Sequence, residues 1–130
     1  MRSALQVHGA LAGGAFAVVV LVSLAVLLAP ASDVPSAPPG VDKLVHVLLF
    51  LVLALTGRWA GIGQTLLGGS LIGYAAVSEL VQGLTPLERS ASVGDWLADV
   101  VGVLAGLGLW LWSSRRTMLR RVAPPGNLAA

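Results

Sequence analysis

The sequence predicts an all-α fold: a polytopic membrane bundle of four transmembrane helices with both termini in the cytoplasm. Three observations predict it. Hydrophobic residues make up 56% of the 130 and the mean hydropathy is +0.87, well above the balance of a water-soluble domain, so lipid is the expected solvent for most of the chain. The apolar residues gather into four runs of spanning or near-spanning length. The cations divide unequally between the segments that flank those runs.

The first span is "GALAGGAFAVVVLVSLAVLLA" (9–29), long enough by itself, since about 20 apolar residues cross about 30 Å of hydrocarbon. A cleaved signal peptide is the rival reading, because Arg2 precedes the run and "APA" (29–31) resembles a small-residue cleavage site. The apolar run, however, is longer than the roughly 7–15 residues of a signal-peptide core. Residues 30–41, rich in Pro and Ser, form a connector too short to be a domain. The second span, "DKLVHVLLFLVLALTGR" (42–58), is short and carries ions at both ends, but its apolar middle is unbroken and its end groups can snorkel to the interface. The third is "GIGQTLLGGSLIGYAAVSELVQG" (61–83) and the fourth "VGDWLADVVGVLAGLGLWLW" (93–112). One membrane domain over 1–121 is expected, followed by a disordered tail, 122–130.

Orientation follows from the cations. Arg2, Arg58, Arg115, Arg116, Arg120 and Arg121 fall on one side and only Lys43 and Arg89 on the other, which puts both termini inside. Trp59, Trp110 and Trp112 then sit at the inner interface and Trp96 near the outer one, as amphipathic rings do. The net charge of +2 thus has a topological explanation, and nucleic acid is excluded as a partner. Arg outnumbers Lys seven to one in a chain rich in Ala, Gly, Val and Leu, a composition of GC-rich bacterial genomes, so the bacterial plasma membrane is the expected location. With no cysteine there is no disulfide, thiolate nucleophile or Cys-based metal site.

With that topology all six carboxylates, Asp33, Asp42, Glu79, Glu88, Asp95 and Asp99, lie toward the outer side. At 1.5 Å rise per residue, His46, Glu79 and Asp99 each sit about 6 Å inside the end of their span. Asp42/His46 and Asp95/Asp99 are spaced i,i+4 and Glu79/Gln82 i,i+3, so each pair presents one stripe. A charge facing lipid costs up to about 2.5–3.5 kcal/mol by insertion scales, so each stripe is expected to turn into the bundle. The polar pocket predicted on these grounds comprises Asp42, Lys43, His46, Glu79, Gln82, Arg89, Asp95 and Asp99, with Arg89 folded back over the acids.

Structural roles compete for the same residues. Ser92-x-x-Asp95 fits a capping box, Asp42 suits a helix N-terminus, and Tyr74, Ser78 and Gln82 suit interhelical hydrogen bonds. Glu79 is harder to dismiss, because the C-terminal end of a helix disfavours an anion. Gly9/Gly13, Gly69/Gly73 and Gly102/Gly106 each make a G-x-x-x-G pair, which lets helices approach closely and offers faces for oligomer formation.

The ordered motifs Asp42-Lys43-x-x-His46-x-x-x-Phe50, Glu79-x-x-Gln82 and Arg89-x5-Asp95-x3-Asp99-x2-Gly102 resemble the VanZ-like family of small bacterial membrane proteins over about residues 42–106. That family commonly carries Asn where this chain has Asp99. The resemblance implies a role in envelope maintenance or in resistance to teicoplanin-type glycopeptides, with no reaction attached. The expected partner is an envelope lipid or lipid-linked cell-wall precursor meeting the outward pocket; an enzyme acting on such a substrate, with Glu79 or His46 as base, and a structural or assembly subunit are the alternatives. No catalytic residue is assigned. His46, Glu79, Asp95 and Asp99 offer metal-ligating atoms, but no short ligand motif links them, so no metal or cofactor is expected.

Overall fold

The computed structural model describes residues 8–33, 35–87 and 90–122. Four α-helices, α1 (Ala10–Leu27), α2 (Val41–Trp59), α3 (Gln64–Leu84) and α4 (Val93–Val122), run in that order, with a single 3-10 turn at Ala31–Asp33 between the first two. No strand occurs among the described residues. Consecutive helices reverse direction, so α1 and α3 end where α2 and α4 begin.

Each boundary has a local cause. Two prolines precede Gly40, which takes φ 89°, a left-handed conformation that only glycine adopts cheaply, and α2 starts from it. Gly61, at φ 91°, turns the chain back from α2, while Arg58 Nη1 donates to Ile62 O at 2.5 Å and ties the turn down. α3 stops at Thr85, whose N–H and hydroxyl both return to Val81 O; Pro86 cannot prolong the helix. The two linkers at this end are joined, Ala31 N–H donating to Leu87 O at 2.9 Å.

α4 exceeds its predicted end at 112 by ten residues. The polar segment after Trp112 marks where apolarity ends and not where the helix does. Ser113 and Thr117 hydroxyls bond back to Trp110 O and Ser113 O, and Arg, Met and Leu are good helix formers. Arg116 lies 3.7 Å from the Trp112 ring centroid and Arg58 5.9 Å from that of Trp110, so these two guanidinium groups are held over indoles. The expected tail, apart from Val122, lies outside the described residues.

The core is built from Phe50, Leu53 and Ala54 of α2, Leu67, Leu71 and Ala75 of α3, Val103 and Leu107 of α4, and Leu27 of α1. The closest approach is between α2 and α4. A Cβ built on Gly102 would collide with Val47 O and stand 3.0 Å from Phe50 Cβ; one on Gly106 would stand 2.7 Å from both Ala54 Cβ and Leu51 O. The backbones therefore touch along this G-x-x-x-G face. The other two predicted glycine pairs differ: Gly13, Gly69 and Gly73 have nothing within 4 Å of a Cβ in their own chain, so they contribute no packing within the bundle. Gly57 and Gly68, neither of them in the three predicted pairs, are the ones that admit Leu67 and Leu107.

Two helices, α1 and the Val93–Leu119 part of α4, are long and apolar enough to cross a membrane. α2 and α3 carry Asp42, Lys43, His46 and Arg58, and Gln64, Ser78, Glu79 and Gln82, which dilute their hydropathy. Large apolar side chains are nonetheless exposed on all four helices, among them Leu21, Leu44, Leu48, Leu66, Val77, Leu80 and Leu104.

Candidate functional site

Among the described residues all the carboxylates lie at the end where α2 and α4 begin, and the arginines at the other. Helix direction alone produces this segregation. Within the acidic end the eight predicted pocket residues separate into three groups and one that is not described.

The first group is buried. His46 Nδ1–H donates to Asp99 Oδ1 at 2.8 Å, bridging α2 and α4 one turn beyond their starts. The pair is inaccessible, with side-chain exposures of 4% and 0%. Glu79, 6% exposed, completes it from α3: one ligating atom from each of His46, Glu79 and Asp99 lies within 4.8 Å of the others. Glu79 Oε2 accepts the backbone N–H of Ser92 at 2.7 Å. Its Oε1, and Oδ2 of Asp99, are buried without a hydrogen-bond partner.

The second group is at the surface. Lys43 Nζ contacts Asp95 Oδ1 at 2.9 Å and Asp42 Oδ2 at 3.7 Å; Lys43 and Asp42 are about half exposed, and Asp95 is 15% exposed. Asp42 therefore does not turn inward with His46: the helix N-terminus and Lys43 satisfy it in solvent. Ion pairs with a half-exposed partner contribute little because water and salt screen them, so Lys43→Ala is expected to lower the thermal unfolding midpoint in detergent only slightly. A clear drop in that midpoint would show that the pair has a structural role.

The third group is Gln82 alone. Although it shares a face with Glu79, its amide reaches the other way and donates Nε2–H to Leu27 O at 2.5 Å, satisfying a carbonyl left free at the end of α1. Tyr74 similarly bonds Ser23 across to α1 at 2.9 Å, whereas Ser78, expected to do the same, bonds Ala75 O within its own helix. Arg89 and Glu88 lie outside the described residues.

The capping expectation is half realised. Ser92 Oγ accepts the Asp95 N–H at 3.2 Å, as an N-cap should. The reciprocal bond to Ser92 N–H comes from Glu79 of another helix, which frees the Asp95 carboxylate for Lys43. Sequence reading missed this use of Ser92 because a backbone donor has no residue signature.

Beside the buried group a cleft of about 310 Å³ opens between α3 and α4, lined by Ala76, Glu79, Leu80, Ala91, Ser92, Val93 and Trp96. Its walls are apolar except for Glu79 and Ser92. Trp96, expected as an interfacial anchor, packs against the core, and its Nε1–H is buried with no partner. The narrow turn above is fixed by Gly83, where a Cβ would stand 2.9 Å from Ala91 Cβ.

No family model matches the chain, and no curated protein or solved structure matches it either.

Proposed function

We propose that this chain is a four-span protein of the bacterial plasma membrane, both termini inside, that holds an envelope lipid or lipid-linked cell-wall precursor at its outer end. The observation that carries the reading is the apolar cleft between α3 and α4, opening beside a buried ionisable cluster on a molecule whose outer surface is largely apolar. An acyl or polyprenyl chain suits walls made of Ala76, Leu80, Ala91, Val93 and Trp96. Its headgroup would lie toward Lys43, Asp42 and Asp95, where a cation and two carboxylates meet.

Four spans, rather than the two that hydropathy alone admits, are supported by three features. The charged groups of α2 either lie at its ends or, like His46, are buried against α4; Glu79 and Gln82 of α3 are buried and bonded within the bundle; and intramembrane ionisable groups face inward in this manner. The excess of cations on the side of both termini supports the orientation. The motif order that resembles the VanZ-like family supports a role in envelope maintenance or glycopeptide resistance.

The test is lipid capture. Protein extracted in its native lipid is expected to retain a defined lipid species, identified by mass spectrometry. Ala76→Phe, which fills the cleft from the α3 side, is expected to lose that species while remaining folded. An identical lipid profile for the two proteins would refute the reading.

A further inference from the structure

We propose that His46, Glu79 and Asp99 form a binding site for one divalent first-row transition-metal ion, zinc by preference. Three helices each supply one ligating side chain, with donor atoms mutually within 4.8 Å. All three residues are more than nine-tenths buried. Two carboxylate oxygens of the set, Glu79 Oε1 and Asp99 Oδ2, have no partner although both are buried. Such oxygens are costly unless something positive meets them, and no described side chain does: Lys43, the described cation at this end, is engaged by Asp95 and Asp42 at the surface. Two carboxylates and one imidazole together have room for more positive charge than a single imidazolium supplies.

The ligand set chooses the ion. One nitrogen and two oxygens suit zinc or its first-row neighbours better than magnesium or calcium, which prefer oxygen throughout. At zinc bond lengths of about 2.0–2.1 Å the ligating atoms of a tetrahedral shell stand about 3.3 Å apart. The His46–Asp99 contact of 2.8 Å is a hydrogen bond without the ion and needs to open by only about half an ångström to exchange a proton for a metal. Glu79 is the residue with a wall on the cleft and therefore a path for entry. Three protein ligands leave a fourth position open. Asp95, included when the sequence alone was considered, is excluded because Lys43 holds it.

The inference shares Glu79 with the lipid reading but does not rest on it, because the probe is the metal alone. Full-length protein in detergent, stripped with chelator and dialysed against zinc, is expected to bind about one equivalent, with an X-ray absorption spectrum of one imidazole and otherwise oxygen ligands. His46→Gln and Asp99→Asn are each expected to weaken binding at least tenfold. His8→Gln, which removes the other histidine, is expected to leave it unchanged. Absence of stoichiometric zinc on folded wild-type protein, a shell without imidazole, or binding lost with His8 and kept without His46 would each overturn the proposal. Should His46→Gln not fold, the wild-type stoichiometry and spectrum decide alone.

Discussion

Replacing His46 by alanine is expected to lower the unfolding free energy of chelator-treated protein by about 3–5 kcal/mol, the loss typical when one member of a buried ion pair is removed. Asp99 is fully buried, and its Oδ1 has His46 as its partner. Without the imidazole both of its oxygens would be stranded in the bundle. Most of the penalty is thus the uncompensated carboxylate and not the bond itself, which gives the prediction a second arm. Replacing the pair together, His46→Leu with Asp99→Leu, is expected to recover most of the loss, since hydrophobic replacement of a whole buried pair is often neutral or stabilising. Equilibrium unfolding in mixed micelles measures both. A double substitution as damaging as the single one would mean that packing, and not charge, sets the cost.

Gly102→Ala and Gly106→Ala are each expected to destabilise the bundle by about 1–3 kcal/mol, the usual penalty for overpacking a tight contact. The expectation runs against intrinsic preference, because alanine is the better helix former by about 1 kcal/mol. The atoms in the way decide the sign. At Gly102 they are Val47 O, Phe50 Cβ and Leu51 N, and at Gly106 Ala54 Cβ and Leu51 O, backbone atoms and Cβ atoms that no rotamer change can move, so one helix must move away from the other. Gly69→Ala and Gly73→Ala, where a methyl meets open space, are expected to be neutral or to stabilise slightly. The same unfolding assay separates the pairs. Four equal responses would deny that α2 and α4 make backbone contact.

The glycine pairs also mark what pattern can reveal. The G-x-x-x-G motifs are identical as strings, yet Gly102/Gly106 is buried against α2 while Gly69 and Gly73 meet nothing, because the motif specifies a smooth strip and not the helix that will lie on it. Glu79 and Gln82 teach the same lesson for polar groups. Their i,i+3 spacing correctly puts both inside, but the amide is long enough to reach Leu27 O of α1 while the carboxylate turns to Ser92 N–H. A shared face fixes the direction of the Cβ bonds and leaves the ends of long side chains free.

Helix number, the alternating order of α1 to α4 and the clustering of acids at one end follow from the sequence alone, since each depends on where apolar runs begin and end along the chain. Which acids meet was decided only by tertiary structure. Asp42 and Asp95 are stripe-mates of His46 and Asp99, yet they pair with half-exposed Lys43 nearer the surface while the inner pair closes at 2.8 Å. The physical reason is depth combined with approach: water reaches the first turn of a helix, and one turn further in the neighbouring helices exclude it, so side chains there must satisfy one another across the bundle.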